Sequence, residues 1–320
     1  MQPVEQTLKE RQWRDFEFRE SGVSAEFLES NNMVFKSDSI LYAEDLNNLV
    51  VNIYDTKARL INSLGAGNGR GPGEFLHISD LRIDESGNVW ALDPMNNRAT
   101  ILNPKNKDNF QIIEFPVVPL RVLPVGTTEY LLEKRFDNYI KRYTLSGDFI
   151  DQMEVLVDDP PLWSGVLVSN FTMAPDKSII SALIHINYLV KYSVTGTIEY
   201  FRKPISSPDF PKIEPYYAND VGRVNSVDYT SWEQTTSGVH IVGDEIHVLI
   251  RNNFVWFPHE QRVESRRETV DVYNLENGDY QYSYKLPKQL QSMAVSNTHL
   301  AGIPENLGKL VIWEVKGGWK

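Results

Sequence analysis

The stretch that decides the fold runs Asp84-Glu-Ser-Gly-Asn-Val-Trp-Ala-Leu-Asp-Pro-Met-Asn-Asn-Arg-Ala-Thr-Ile-Leu102. A Ser-Gly-Asn turn leads into an apolar strand that ends at Leu92, and a second strand begins near Arg98 after a polar turn. Short apolar runs bounded by Gly, Pro, Asn and Asp predict antiparallel strands. This strand–turn–strand phrase is the unit to search for in the rest of the chain.

The phrase occurs five more times. The further copies begin at Ser37, Val125, Asp176, Gly243 and Ser296. The polar residues that close the second strands are Asp55, Asn103, Thr144, Ser193, Asn274 and Glu314. Successive members of this set are 48, 41, 49, 81 and 40 residues apart. A period in the forties is typical of a β-propeller with four strands per blade, and the longest interval indicates one repeat with extra loop.

The last repeat lacks an outer strand of its own. Strands are predicted near Gln291–Val295, His299–Ile303 and Lys309–Val315, after which the sequence ends. The segment Trp13–Arg19 alternates apolar and charged residues, so it is predicted to complete that blade and close the ring. The prediction is an all-β, six-bladed propeller of four-stranded antiparallel blades. It forms one domain over residues 1–320, with residues 1–12 set apart as an N-terminal tail.

Charge and composition exclude several classes of function. The net charge of −11 disfavours nucleic acid and anionic membrane surfaces as partners, because the long-range field repels phosphate. No apolar stretch is long enough to span a bilayer, and Met1-Gln-Pro-Val-Glu5 does not have the pattern of a signal peptide. With no cysteine, the chain has no disulfide, thiolate zinc site or cysteine nucleophile. A monomer is expected.

One segment carries a family resemblance. The run Gly65-Ala-Gly-Asn-Gly-Arg-Gly-Pro-Gly-Glu-Phe75 is followed by Asp80, Gly87-Asn-Val, Asp93 and the Asn96-Asn-Arg98 turn. This combination resembles bacterial six-bladed propellers of the NHL-like and TolB-like type found in Bacteroidetes, many of them lipoproteins of unknown function. The resemblance implies an exported protein, periplasmic or at the cell surface, with a lipid anchor upstream of this sequence. It implies little about activity, because propellers support unrelated functions.

The same glycine-rich segment invites comparison with phosphate-binding loops. Both nucleotide motifs fail, because Pro72 follows at once, no helix does, and there is no Lys-Ser/Thr pair. The favoured interpretation is a turn between blades in which several glycines take positive φ. The alternative is that Arg70 and Glu74 are presented to a ligand at the mouth of the channel.

Propeller topology predicts one binding face. Connections between blades and between the middle strands of a blade emerge together, which groups Gly67–Phe75, the Trp163 loop, the insert Pro204–Glu233 and the loop Arg251–Arg267. The candidate ligand-binding residues are Arg70, Glu74, Trp163, Tyr216, Tyr217, Trp232, Arg251, Trp256 and His259. Aromatic rings in proline-braced loops suit a sugar or a peptide, although they equally suit packing of long loops onto the blades.

No metal motif occurs among the six histidines. A resemblance to propeller lactonases, which hold a divalent ion in the channel, makes a calcium site from different blades the alternative. Its candidate ligands are Asp45, Asp93, His185 and Glu305. Acidic turn residues more often bond local backbone amides. A serine hydrolase is disfavoured, since no Gly-x-Ser-x-Gly elbow is present.

The sequence therefore favours a non-catalytic propeller without a cofactor. Its partner would be a glycan, a peptide or another protein, bound by the loop-rich face. The alternative, from a different class, is a metal-dependent hydrolase or lyase that works in the central channel.

Overall fold

A computed structural model describes residues 3–134, 139–156, 168–184, 188–205, 213–218, 222–227, 234–257 and 262–319. Within these ranges, side chains are described except for residues 107–108, 213–218, 222–227, 234–235, 251–257 and 262–267. All regular structure in the described part of the chain is β-strand. The predicted all-β class is confirmed.

The first half of the chain supplies three blades and the strand that precedes them. That N-terminal strand, β1, is Phe18–Val23. Blade 1 consists of β2 (Met33–Ser37), β3 (Ile40–Asp45), β4 (Val50–Asp55) and β5 (Leu60–Leu64). Two short strands follow, β6 (Gly67–Asn68) and β7 (Glu74–Phe75). Blade 2 consists of β8 (Asp80–Ile83), β9 (Val89–Asp93), β10 (Arg98–Asn103) and β11 (Asn106–Glu114). Blade 3 consists of β12 (Pro119–Val125), β13 (Glu129–Lys134), β14 (Ile140–Thr144) and β15 (Phe149–Gln152).

The second half of the chain continues the series. Blade 4 consists of β16 (Ser169–Met173), β17 (Ile179–Leu183), β18 (Leu189–Tyr192) and β19 (Ile198–Arg202). A separate two-stranded sheet contains β20 (Ile213–Ala218) and β21 (Gly222–Val227). Blade 5 consists of β22 (Gln234–Val242), β23 (Glu245–Phe257), β24 (Arg262–Asn274) and β25 (Tyr280–Lys285). Blade 6 consists of β26 (Leu290–Val295), β27 (His299–Pro304), β28 (Val311–Val315) and β1. The described residues thus form the six four-stranded antiparallel blades predicted from the repeat.

The N-terminal strand completes blade 6, as predicted. It pairs antiparallel with β28, with Phe18 opposite Val315 and Val23 opposite Val311. The strand begins at Phe18 rather than at Trp13, so the predicted start was wrong. Trp13 instead forms an isolated parallel bridge to Ser283 of β25.

The chain divides into two compact units. Unit 1 comprises Met1–Asp15, Phe136–Asn138 and Met153–Gln289, and it contains blades 4 and 5. Unit 2 comprises Phe16–Arg135, Tyr139–Gln152 and Leu290–Lys320, and it contains blades 1, 2, 3 and 6.

The polar residues that mark the sequence period cap the outer turns of the blades. The Asp55 carboxylate accepts hydrogen bonds from the amides of Lys57 and Arg59, and Asn274, Asn103, Ser193 and Thr144 accept amide bonds in the equivalent turns. Asp, Asn, Ser and Thr are favoured there because a short side chain can bond the backbone two to four residues ahead. Glu314 has no such turn after it, since β1 supplies the outer strand, and it lies opposite Arg19.

Apolar cores lie between neighbouring blades within each unit. In unit 2 one core joins blades 1 and 2 through residues such as Tyr42, Phe75 and Leu81, and others join blades 2 and 3 and blades 6 and 1. In unit 1 the core between blades 4 and 5 contains Ile180 and Val248. The middle strands are covered on both faces, which is why β9 and β17 are buried at every residue.

Candidate functional site

The glycine-rich loop of unit 2 is held by one arginine of blade 2. The guanidinium of Arg98 donates hydrogen bonds to the carbonyl oxygens of Arg70 (2.8 Å), Gly71 (2.8 Å) and Glu74 (2.6 Å). Arg98 itself is buried. A planar fork of donors can gather several carbonyls in this way, so the loop has a defined shape.

The backbone amides of the loop are used within the loop. The amide of Ala66 donates to Gly73 O, and that of Gly69 donates to Phe75 O. The Gly71 amide donates to the carboxylate of Glu74 at 2.7 Å. Amides engaged in this way do not point at a ligand, so the geometry matches a turn between blades and not an anion cradle.

The two charged candidates of this loop are therefore placed differently. The Glu74 carboxylate is half-buried and bonds the loop backbone. The Arg70 side chain is exposed and makes no hydrogen bond or ion pair with the described part of the chain. Of the two, only the Arg70 side chain is available to a partner.

The two aspartates proposed as metal ligands lie in turns that have the same hydrogen-bond pattern. Asp45 accepts bonds from the amides of Asn47 and Asn48 and from the Asn48 side chain. Asp93 accepts the same three bonds from Met95 and Asn96. A fourth donor, the Asn52 side chain or the Leu76 amide, completes each set. Both carboxylates are thus surrounded by neutral donors, which is the usual role of an acidic residue in a turn.

Of the remaining metal candidates, Glu305 lies within the described residues and His185 does not. Glu305 is half-buried in the turn between β27 and β28. Among the residues whose positions are described, no three His, Asp or Glu side chains are arranged to hold an ion. That same part of the chain has no helix capable of crossing a bilayer.

Two exposed apolar side chains lie at the end of unit 2 that carries the glycine-rich loop. Met95, 66% exposed, is in the turn whose Asn96 side chain donates to Gly69 O at 3.2 Å. Phe27, 71% exposed, precedes β2, and the Lys309 ammonium lies 5.6 Å from its ring centre. Neither residue was predicted from the sequence, because an isolated apolar residue in a connection has no periodic signal.

A buried charged cluster, also missed, lies in blades 1 to 3. The Glu44 carboxylate accepts hydrogen bonds from the amides of Asn31 (2.6 Å) and Asn32 (3.1 Å). Burial raises the pKa of Glu44 to about 7, and the nearby charge of Asp80 acts in the same direction. Asp80 pairs with Arg82 at 3.1 Å; burial raises the pKa of Asp80, while Arg82 and Arg121 act against that rise. Glu44 is thus bonded to backbone amides, and Asp80 is paired with an arginine.

A buried histidine in unit 1, His247, also lies beside polar side chains. His247 Nδ1 and the Tyr284 hydroxyl are 3.0 Å apart, and Nε2 lies 3.5 Å from the Glu245 carboxylate. The Tyr282 hydroxyl donates to the same carboxylate at 3.0 Å. Burial lowers the pKa of His247, which favours the neutral ring.

Two hairpins in unit 1 occupy stretches that were predicted as loops. Tyr216 and Tyr217 lie in β20, opposite Val224 and Arg223 of β21. Arg251 and Trp256 lie in β23, opposite Arg267 and Val263 of β24. The loop assignment of 251–267 was therefore wrong for most of its length. Runs of β-branched and aromatic residues favoured strands there in spite of Pro258.

The hairpin of β23 and β24 extends beyond the rest of its blade. Pairing with β22 ends at Asn252, and pairing with β25 ends at Thr269. Among the described residues, β23 and β24 beyond these positions pair only with each other, as far as Phe257 opposite Arg262. Trp163, Trp232 and His259, the other candidates in this part of the chain, lie outside the described residues.

Comparison with known proteins supports the fold alone. No protein family matches the sequence, and no curated protein does. A Bacteroides fragilis protein named "putative exported protein" has a similar structure, with 10% identity, a TM-score of 0.61, and coverage of 98% of this chain and 99% of that one. The β-propeller domain of Cps50 (Swd1) from Myceliophteria thermophila has 11% identity and a TM-score of 0.54, covering 93% and 100%. Virginiamycin B lyase from Staphylococcus aureus has 13% identity and a TM-score of 0.52, covering 94% and 99%. At such identities these similarities establish that the chain has the β-propeller fold.

Proposed function

We propose that this protein is an exported binding propeller that holds a segment of a partner protein against two hairpins of unit 1, β20–β21 and the extended part of β23–β24. The observation that carries the proposal is the extension of β23 and β24 past both neighbouring strands of blade 5. The four-stranded pairing of blade 5 ends at Asn252 of β23 and Thr269 of β24, so the extension adds nothing to the blade itself.

The second hairpin, β20 with β21, supports the same function. Within the described part of the chain it forms a two-stranded sheet separate from the blades. A two-stranded sheet on its own has only marginal stability in water. We therefore attribute this hairpin to recognition and not to stabilisation of the fold. The aromatic residues in both hairpins are of the kind enriched at the centres of protein interfaces.

Export is supported by the structural similarity to the Bacteroides fragilis protein that is named as exported. The absence of cysteine is compatible with an oxidising compartment. The aspartates proposed for a channel metal are occupied by turn donors, so the geometry favours binding over the hydrolase or lyase alternative.

The test removes the projecting part of one hairpin while keeping the blade. In the shortened variant, Asn253–Ser265 is replaced by Asn-Gly, which closes a two-residue turn directly on the pair Asn252 and Arg266. A displayed library of random peptides is selected against the wild-type protein, and the enriched peptides are measured against both proteins. We expect binding to the shortened variant to be weaker by about tenfold or more.

The control is Gly126→Asn, in the turn between β12 and β13. This residue has φ of +61° and open space around its Cβ position, so asparagine fits and peptide binding should not change. An unchanged melting temperature of the shortened variant shows that the blade survives. Equal binding of the peptides to both proteins, or no enriched peptide at all, would contradict the proposal.

A further inference from the structure

The first residues of unit 1 lie along the outer edge of blade 4. The amide of Val4 donates to Phe201 O at 2.8 Å, and the amide of Lys203 donates to Val4 O at 3.0 Å. Val4 thus forms a parallel bridge to Arg202, the last residue of β19. Since β19 is the outer strand of its blade, this edge would otherwise offer unpaired backbone groups.

The same segment then reaches the outer edge of blade 5. The amide of Ser283 donates to Gln12 O, and the amide of Arg14 donates to Ser283 O, each at 2.8 Å. These bonds form the parallel bridge between Trp13 and Ser283 of β25. Residues 4–14 therefore add backbone pairing to two blade edges, which is how extended peptides bind when they add a strand to a sheet.

Between the two bridges, Gln6 recognises the backbone of the blades. Its side-chain amide donates to Lys203 O at 2.9 Å and to Gly278 O at 3.1 Å, and its oxygen accepts from the amide of Tyr280 at 2.8 Å. Gln6 is only 4% exposed. A glutamine satisfies all three groups because its side chain carries both a donor and an acceptor.

Five positions later, Arg11 enters a pocket that ends in a buried carboxylate. Its Nε and Nη2 atoms donate to the two oxygens of Asp271 at 2.8 and 2.9 Å. Asp271 is fully buried, and the Ser283 hydroxyl donates to it at 2.6 Å. The two-pronged contact matches a guanidinium and not an ammonium, so this pocket is specific for arginine.

The apolar side chains of this segment bury little surface. Val4, Leu8 and Trp13 remain 51%, 41% and 53% exposed. Its attachment is thus due mainly to polar contacts: the backbone hydrogen bonds, the side chains of Gln6 and Arg11, and the ion pair of Glu5 with Lys203. Such a segment can be exchanged for an identical one with no repacking of a core.

We propose that the outer edges of β19 and β25 form a strand-addition site for an extended segment with glutamine and arginine five positions apart, and that residues 3–14 of a second copy of this chain occupy it by exchange. A second copy carries the same Gln6 and Arg11, so its segment meets every contact described above. The buried Asp271 supplies the charge complementarity. The site is separate from the extended parts of β23 and β24, because Asp271 lies where β24 is still paired with both Val248 of β23 and Ser283 of β25.

The first experiment tests the site with a fluorescent peptide of residues 3–15 and the full-length Arg11→Ala variant, whose own segment has lost its anchor. We expect saturable binding and a rise in the melting temperature of the variant. The same peptide carrying Arg11→Ala should bind roughly a hundredfold more weakly. The full-length Arg11→Ala/Asp271→Leu variant, which lacks the receptor carboxylate, should not bind the peptide. If Arg11→Ala does not fold, the full-length Gln6→Ala variant takes its place.

The second experiment tests exchange between copies of the full chain. Because the protein has no cysteine, single cysteines at the exposed positions Glu10 and Glu276 can be labelled with a donor in one copy and an acceptor in the other. We expect energy transfer to develop when concentrated samples are mixed, and excess unlabelled peptide to suppress it. Failure of the peptide to bind a folded variant would overturn the site. Binding of the peptide without energy transfer between copies would overturn the second copy as its source.

Discussion

Two segments outside the blades each depend on an arginine contact, and the two contacts run in opposite directions. In unit 1 the arginine belongs to the segment, and Arg11 reaches the buried carboxylate of Asp271 in blade 5. In unit 2 the arginine belongs to the blade, and Arg98 reaches backbone carbonyls of the glycine-rich loop. One contact joins two side chains, and the other joins a side chain to a backbone.

The difference shows what each segment requires of its sequence. The segment of unit 1 needs particular side chains, glutamine at position 6 and arginine at position 11, and the blade needs an acid to receive the arginine. The loop of unit 2 needs a backbone shape, and glycine provides it: Gly73 has φ of +75°, and a Cβ there would lie 2.6 Å from the Phe110 ring. Glycine is the residue that takes this conformation without strain.

The largest expected effect comes from breaking the side-chain contact. Arg11→Ala leaves the Asp271 carboxylate buried without its cation, and we expect the free energy of unfolding to fall by about 3–5 kcal/mol. Urea unfolding followed by tryptophan fluorescence measures the change.

The matched control removes both charges. Arg11→Met/Asp271→Leu leaves no unpaired ion, so its free energy of unfolding should lie within about 1 kcal/mol of the wild-type value or above it. A single variant as stable as the wild type would show that Asp271 is not held by Arg11.

A second effect sharpens the comparison, because Glu44 is buried with neutral donors and no arginine. Its pKa of about 7 in the folded state lies above the ordinary 4.5, so the folded protein keeps a proton that the unfolded chain has released. The free energy of unfolding should therefore be highest below pH 4.5 and fall by about 3 kcal/mol as the pH rises through about 7.

Glu44→Gln provides the reference, since an amide does not titrate. Other groups contribute equally to both proteins, so the free energy of unfolding is measured for each protein at about pH 5 and about pH 8. Between these two pH values, we expect the wild-type free energy to fall by about 3 kcal/mol more than that of Glu44→Gln. Parallel profiles would mean that Glu44 is charged throughout.

The smallest of the three effects concerns the loop of unit 2. Arg98→Met removes hydrogen-bond donors from three carbonyls but leaves no charge unpaired. We therefore expect the free energy of unfolding to fall by about 2 kcal/mol. Arg70→Ala, in the same loop, should change stability by less than about 0.5 kcal/mol because that side chain is exposed. Thermal unfolding of both variants compares them, and equal losses would contradict the role assigned to Arg98.

Local patterns predicted much of the fold. The middle strands of all six blades follow from the repeated phrase, and residues such as Asp55 and Asn274 mark the period because each caps a turn. The completing strand was assigned to the correct blade but began too early, since alternation from Trp13 onward does not show which edge each residue meets.

Local patterns predicted less of the candidate site. Glycine spacing identified the loop but not the role of Arg98, which bonds backbone atoms of residues 24 to 28 positions away. Propeller topology assigned Trp256 to a loop between two middle strands, whereas its pairing with Val263 places it in β23. Phe27 and Met95 became notable only once their exposure was known.

The sequence by itself determined the class of fold, because strand, turn and capping preferences act over a few residues and repeat with the blade. Only the tertiary structure decided which charges meet. Arg11 and Asp271 are 260 positions apart, and no local preference connects residues at that distance. Their pairing depends on the folded edges of blades 4 and 5, and the proposed exchange site depends on it in turn.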